Sequence, residues 1–199
     1  MTGPAAKVGG VILAAGAARR FGAQKLLEPI RDRPLAQHVL DAAEASQLST
    51  IVLVVGADAD AILSGVEPGR ARVVRNPDHA SGQASSLQVG LRALEGDIDA
   101  ALVLLGDVPG ITDALLDELV RTQRETGAAA VVSRWAGRRM PPAVLHRDLW
   151  PIAFALRGDV GMREVLAGRR DVAEVEVTSA LGSLDDVDTR DDHARLTGH

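Results

Sequence analysis

Short apolar runs recur along the chain, and most end in glycine or aspartate. Val8–Ala14 leads to Gly16, Thr50–Val55 to Gly56, and Ala100–Leu105 to Gly106-Asp107, with Ala128–Ser133 a fourth run. Continuous β-branched runs that do not alternate with polar residues predict strands buried on both faces, as in a parallel sheet. Between them the apolar spacing becomes helical, over Leu35–Ser46, Ser85–Leu94, Thr112–Thr126 and Val160–Leu166. Thr112-Asp113 marks a helix start and Gly127 a helix stop. Val172–Val177 alternates and reads as a late strand. Pro141-Pro142 predicts an edge strand or a loop, because proline cannot donate to a strand ladder.

Strands alternating with helices predict βαβ units with right-handed crossovers, hence an α/β sheet covered on both faces. Ligands in such sheets bind at the carboxyl ends of the strands. Here those ends are Ala15-Gly16, Gly56-Ala57 and Gly106-Asp107. At 199 residues, with no repeat or linker, the chain is expected to form a single domain over 1–199.

Composition narrows the function. The chain is 46% apolar and 25% charged, which excludes disorder as the main state. No apolar run approaches the ~20 residues of a bilayer span. Val8–Ala18 has some likeness to a signal-peptide core, but Arg19 and Arg20 follow at once with the wrong polarity, so a cytoplasmic location is expected. A net charge of -5, 2% aromatics and no tyrosine argue against a nucleic-acid partner. The absence of cysteine removes disulfides, thiolate metal sites and cysteine nucleophiles together. Lys7 and Lys25 are the only lysines among 22 basic residues, so a lysine retained at 25 is conspicuous.

Four groups of residues carry candidate chemistry. The first strand runs into Leu13-Ala14-Ala15-Gly16, then Arg19, Arg20, Gly22 and Lys25. Small residues let backbone N–H groups approach an anion, and the basic side chains suit a triphosphate. Neither the P-loop nor the dinucleotide glycine pattern is present. The plainer alternative is a glycine-rich turn with solvated charges. Asp107, at the end of a buried strand, is placed to hold Mg²⁺, or else caps the turn before Pro109. In Asp185-Asp186-Val187-Asp188-Thr189, Asp186 and Asp188 point the same way if the stretch is extended, and either could complete a cation site. Otherwise the stretch is an acidic turn, with Asp188 or Thr189 capping the last helix. The loop from Asn76 through Ser81, Gly82 and Ser85 can present polar groups to a base, or Ser85 can be an N-cap with Gln88 completing a capping box. The histidines show no ligand spacing, and Trp135 and Trp150 read as packing residues.

Leu13-Ala14-Ala15-Gly16 followed by Arg20, Gly22 and Lys25 resembles the signature of the MobA-like nucleotidyltransferases, and most of all the molybdenum cofactor cytidylyltransferases. The resemblance extends from about Gly10 to Leu196. It includes Asn76-Pro77 to Leu87, Gly106-Asp107-Val108-Pro109, Gly158-Asp159-Val160-Gly161-Met162-Arg163 and Asp186-Val187-Asp188-Thr189. It implies a Rossmann-like three-layer α/β/α fold with a mostly parallel sheet, of the nucleotide-diphospho-sugar transferase type. It further implies Mg²⁺-dependent transfer of CMP from CTP to a phosphorylated acceptor, the molybdopterin cofactor, with release of pyrophosphate. Lys25 and Arg20 would then neutralise the triphosphate. Asp107 and Asp188 would hold Mg²⁺, with Asp186 the less favoured ligand. The backbone of Leu13–Gly16 and Gly22, together with Asn76, Ser81, Gly82 and Ser85, would hold the nucleotide.

The match has departures. Val108 stands where relatives often have Gln or Met, and Met140-Pro141-Pro142 where many have Gly-His-Pro. Ala15 matches the cytidylyl type, whereas guanylyl relatives usually carry a second glycine there. Guanylyl transfer from GTP, or transfer to a sugar phosphate or methylerythritol phosphate, therefore stands as an alternative. So does a low-turnover cofactor-insertion partner of a molybdenum hydroxylase. Lys25 is expected in a surface loop, so that Lys25→Ala would lower turnover without unfolding the chain.

Overall fold

A computed structural model describes residues 6–16, 25–94, 96–166, 168–187 and 189–197. Among them, strands and helices alternate as the apolar periodicity predicts. In order they are β1 (Val8–Ala14), β2 (Pro29–Ile30), β3 (Arg33–Pro34), α1 (Leu35–Ala45), β4 (Thr50–Val55), α2 (Ala59–Gly65), β5 (Arg72–Arg75) and α3 (Gln83–Ala93). There follow β6 (Ala100–Leu105), α4 (Asp113–Thr126), β7 (Ala130–Trp135), β8 (Arg138–His146), α5 (Trp150–Ala155), α6 (Met162–Leu166), β9 (Val172–Glu176) and α7 (Arg190–Thr197).

Seven strands form one sheet in the order β5-β4-β1-β6-β8-β7-β9, and β2 pairs with β3 in a separate small hairpin. The pairs β5·β4, β4·β1, β1·β6 and β7·β9 are parallel, and only β8 runs against its neighbours. The sheet is therefore mostly parallel, as expected.

Its two faces are both dry. Ile12, Leu53, Leu102 and Leu104 point to one core with Val39, Leu40, Leu115, Leu116 and Leu119 of α1 and α4. Val11, Val52, Val54, Ala101 and Val103 point to the other, with Leu87, Leu91, Trp150 and Val165 of α3, α5 and α6. Successive strand residues thus serve opposite cores, which is why the strands read as unbroken apolar runs. Each buried leucine contributes about 1.5–3 kcal/mol by area.

Helix ends follow local chemistry. The Thr112 side chain accepts from Leu115 N at 3.2 Å, and Gly127 ends α4 in the left-handed conformation (φ 60°). Thr189 and Asp192 cap α7 reciprocally: Asp192 N donates to Thr189 Oγ1 at 3.1 Å, and Thr189 N to Asp192 Oδ2 at 2.8 Å.

Three expectations are corrected. The fourth strand is Ala130–Trp135 rather than Ala128–Ser133. Ser85 does not cap α3. The helix starts at Gln83 with Gly82 as its cap residue, and the Gln88 amide reaches α5 instead of the helix start. Pro141-Pro142 lies inside β8, an inner strand, and is joined by a cis peptide. Pairing of β8 to β6 ends at Ala143, so the prolines meet no ladder on that side. Toward β7 the register jumps between Val132 and Ser133, and the Ser133 hydroxyl donates to Pro142 O at 2.7 Å. A bulge accommodates residues with no N–H to offer. No helix among the described residues is long and apolar enough to cross a membrane.

Candidate functional site

The carboxyl ends of β1, β4, β5 and β6 bring four loops to one edge of the sheet. They are stitched together by backbone. Gly106 N donates to Leu13 O at 3.0 Å, and Asn76 N to Val55 O at 2.8 Å. Gly56 lies so close to Ala15 O and to His79 that a Cβ there would sit 2.6 Å from the one and 2.8 Å from the other's side chain. No larger residue fits where these three loops meet. The Leu13 side chain packs on the core and Ala14 and Ala15 are buried, so this stretch offers a ligand its backbone and the exposed Gly16.

Lys25 opens a short 3-10 turn, Lys25–Leu27. Its ammonium lies 2.8 Å from Asp107 Oδ2, with side chains 11% and 27% exposed. The expectation of a surface lysine is therefore corrected: Lys25 is buried at the floor of the edge, where an unpaired ammonium would be costly to desolvate. Asp107 belongs to the turn after β6. Its carbonyl accepts from Val187 N at 3.2 Å, which ties the acidic stretch to it. Val187 is fully buried against Ile30 and Leu35, with Leu26 beside them. Asp186 is exposed, as alternation around a buried Val187 requires.

The Asn76–Ser85 loop consumes its own polar groups. The buried Asn76 amide donates to Ser85 Oγ (2.8 Å) and Ser86 Oγ (2.9 Å), and its carbonyl oxygen accepts from Asp78 N (2.9 Å). Ser81 Oγ donates to Asp78 O, and Ser85 Oγ lies within 2.9 Å of the Asp78 and Gly82 carbonyls. These side chains shape the loop. What remains for a ligand is the exposed Ser81 region and the backbone. Gly82 has φ 110° and lies against the Gly158 carbonyl, where a Cβ would come within 2.4 Å. Ala84 N donates to that same oxygen at 3.1 Å. The Gly158–Gly161 loop is thereby fixed against the Asn76–Ser85 loop.

Of the candidate residues, the structure brings Lys25, Asp107 and the backbone beside Asp186 together. Arg20, Gly22 and Asp188 lie outside the described residues. No cluster of three or more metal-ligating side chains occurs among the described residues. Two roles have no signal in sequence. Val187 is a single apolar residue in an acidic stretch, and Gln88 donates from one amide to Ala153 O, Phe154 O and Leu156 O (3.0–3.2 Å).

Residues 10–175 match the family "MobA-like NTP transferase domain". The chain is 31% identical to the purine catabolism protein PucB of Bacillus subtilis, over 92% of this chain and 93% of that one. It is 32% identical to the nicotine blue oxidoreductase of Paenarthrobacter nicotinovorans, over 95% and 96%. Among solved structures it is similar to Rv0371c of Mycobacterium tuberculosis, with TM-score 0.85, 29% identity and coverage of 98% and 100%. A further structure of Rv0371c is a complex with manganese (TM-score 0.79, 26% identity, coverage of 96% and 98%). An α/β sheet open at its carboxyl edge, a Lys25–Asp107 floor and these matches lead to one conclusion: the chain belongs to the MobA-like NTP transferase family and is a nucleotidyltransferase.

Proposed function

We propose that the protein transfers CMP from CTP to a phosphorylated acceptor, the molybdopterin cofactor, with release of pyrophosphate, and that one domain over 1–199 carries this activity. The observation that carries it is the buried Lys25–Asp107 pair at the carboxyl edge of the sheet. A lysine and a carboxylate side by side suit a metal-bound triphosphate, the one meeting phosphate oxygens and the other a cation. The family resemblance of the glycine-rich loop supplies the reaction type.

An acceptor phosphate oxygen forms a bond to the α-phosphorus, and the bond to the bridging β-oxygen breaks. Such transfer needs alignment and charge neutralisation more than covalent help. Lys25 and Arg20 neutralise the triphosphate. The backbone of Leu13–Gly16 and Gly22 lines the phosphates. Asn76 and Ser85 hold the second loop in shape, and Ser81 and Gly82 present it to the nucleotide. The choice of CTP over GTP rests on the cytidylyl-type sequence Leu13-Ala14-Ala15-Gly16.

The donor set is made of hard oxygens, which fits Mg²⁺ or Mn²⁺. Asp107 with Asp188, or Asp186, would hold the ion, which would supply positive charge to the phosphates. Manganese in the Rv0371c complex is consistent with such a site. A molybdenum hydroxylase as partner, in the cytoplasm, completes this reading; one relative is named as an oxidoreductase.

The test is pyrophosphate release with CTP, Mg²⁺ and molybdopterin. Release that needs all three supports the proposal. Release with a sugar phosphate or methylerythritol phosphate, or with GTP in place of CTP, replaces acceptor or donor. No release with any pair contradicts it.

A further inference from the structure

A buried lysine paired with the carboxylate expected to bind a cation poses a problem of charge. With Lys25 at 2.8 Å from Asp107 Oδ2, a divalent ion approaching Asp107 meets a positive charge already seated there. Asp107 is held by more than this contact. It follows a strand in the middle of the sheet, and Val187 N anchors its carbonyl. Lys25 differs in how its charge is carried. It lies in a three-residue turn, on a long stem with several rotatable bonds. If one member moves when ligand arrives, it is the lysine.

We infer that Lys25 stands in for a cation at Asp107 until triphosphate arrives, so that metal and nucleotide enter together and neither binds well alone. The inference rests on the nucleotidyl-transfer reading above. A triphosphate gives the ammonium new oxygens, and Asp107 is released. The coupling works in both directions, because a nucleotide that favours metal must be favoured by it to the same degree. In the empty site the pair keeps two partly buried charges compensated, where an uncompensated one would be costly. The same pair stops the site from filling with a metal ion that has no substrate to act on.

Mn²⁺ bound to the whole protein, measured by equilibrium dialysis with the same CTP concentration on both sides of the membrane, tests this directly. It is measured with and without CTP for wild type, Lys25→Met and Asp107→Asn. Wild type is expected to bind Mn²⁺ weakly alone and at least about ten-fold more tightly with CTP. Lys25→Met is expected to bind Mn²⁺ alone at least about ten-fold more tightly than wild type, and to gain little from CTP. A purely structural lysine would give the opposite sign, since its loss would weaken metal binding in both conditions. Asp107→Asn is expected to lose the site in either state.

If wild type binds Mn²⁺ with CTP but Lys25→Met gains nothing alone, the stand-in role is overturned while nucleotidyl transfer survives. If wild type binds no Mn²⁺ even with any of the four ribonucleoside triphosphates, the metal-dependent reading fails as well. Should Lys25→Met not fold, Lys25→Gln and the wild-type coupling decide the matter. Equal Mn²⁺ affinity of wild type with and without CTP overturns the inference by itself.

Discussion

Two ion-paired cations in this molecule differ in what they can do. Arg121 on the outer face of α4 lies between Glu118 and Glu125, at 2.5 and 2.6 Å, and these bonds hold its guanidinium well above the ordinary arginine range. Lys25 Nζ lies 2.8 Å from Asp107 Oδ2. By contact geometry the arginine wins. By consequence it does not, because its side chain is 54% exposed, against 11% for Lys25. Water screens and replaces what Arg121 gains, whereas the buried Lys25 ammonium has far less access to water. Burial, more than bond length, sets what breaking each pair costs.

The strongest way to break this contrast is at the site. Asp107→Asn should remove the metal enhancement of nucleotide binding, and both it and Lys25→Ala should lower turnover by about 10²–10³-fold, the usual effect of deleting a charge-stabilising group. Lys25→Ala should also lower the melting temperature, because it leaves Asp107 without its partner. Turnover and thermal unfolding of the two variants check this.

Next comes Val187→Ala, which loosens the acidic stretch from the Asp107 turn. It should cost about 1–3 kcal/mol in denaturant unfolding and weaken Mn²⁺ binding in the presence of nucleotide. Gln88→Ala removes one donor from each of three carbonyls around the end of α5, which keep Leu156 N and the Arg157 guanidinium as partners, at about 1–2 kcal/mol. Its kinetic signature should be a raised KM for nucleotide with kcat less affected, since it loosens the Gly158 loop against the Asn76–Ser85 loop.

Arg121→Ala should leave both nucleotide binding and melting temperature at wild-type values, despite its better geometry. A small, pH-dependent effect is expected at Glu174, which Arg139 and then Arg134 hold below the ordinary glutamate value of 4.5. A lowered carboxylate contributes stability above that value and loses it as pH falls through the folded one. The small difference in melting temperature between wild type and Glu174→Gln should therefore begin to shrink as pH falls below about 4.5 and vanish only below the lowered folded value.

The parallel half of the sheet was legible because its strands are buried on both faces, and apolar runs such as Ala100–Leu105 allow little else. Asp107 stood out because it ends such a run. β5 escaped because its two valines are flanked by Arg72 and Arg75, as suits an edge strand with partial burial. β8 escaped because Pro141 and Pro142 forbid a ladder unless a bulge receives them, and only the partner strand reveals the bulge. The burial of Lys25 is a tertiary fact. Its neighbours in sequence say loop, while Asp107, 82 positions away, says otherwise. Asn76 and Ser85 look like ligand contacts in sequence because polar, glycine-containing loops serve both ligands and themselves. Here their hydrogen bonds close on the loop.

The central claim is that a metal-bound triphosphate sits on Lys25 and Asp107. The measurement that tests it most directly is calorimetric titration of the wild-type protein with each of the four ribonucleoside triphosphates, with and without Mg²⁺. The account predicts Mg²⁺-dependent binding, with CTP preferred. Binding that ignores Mg²⁺, or no binding of any triphosphate, would contradict it.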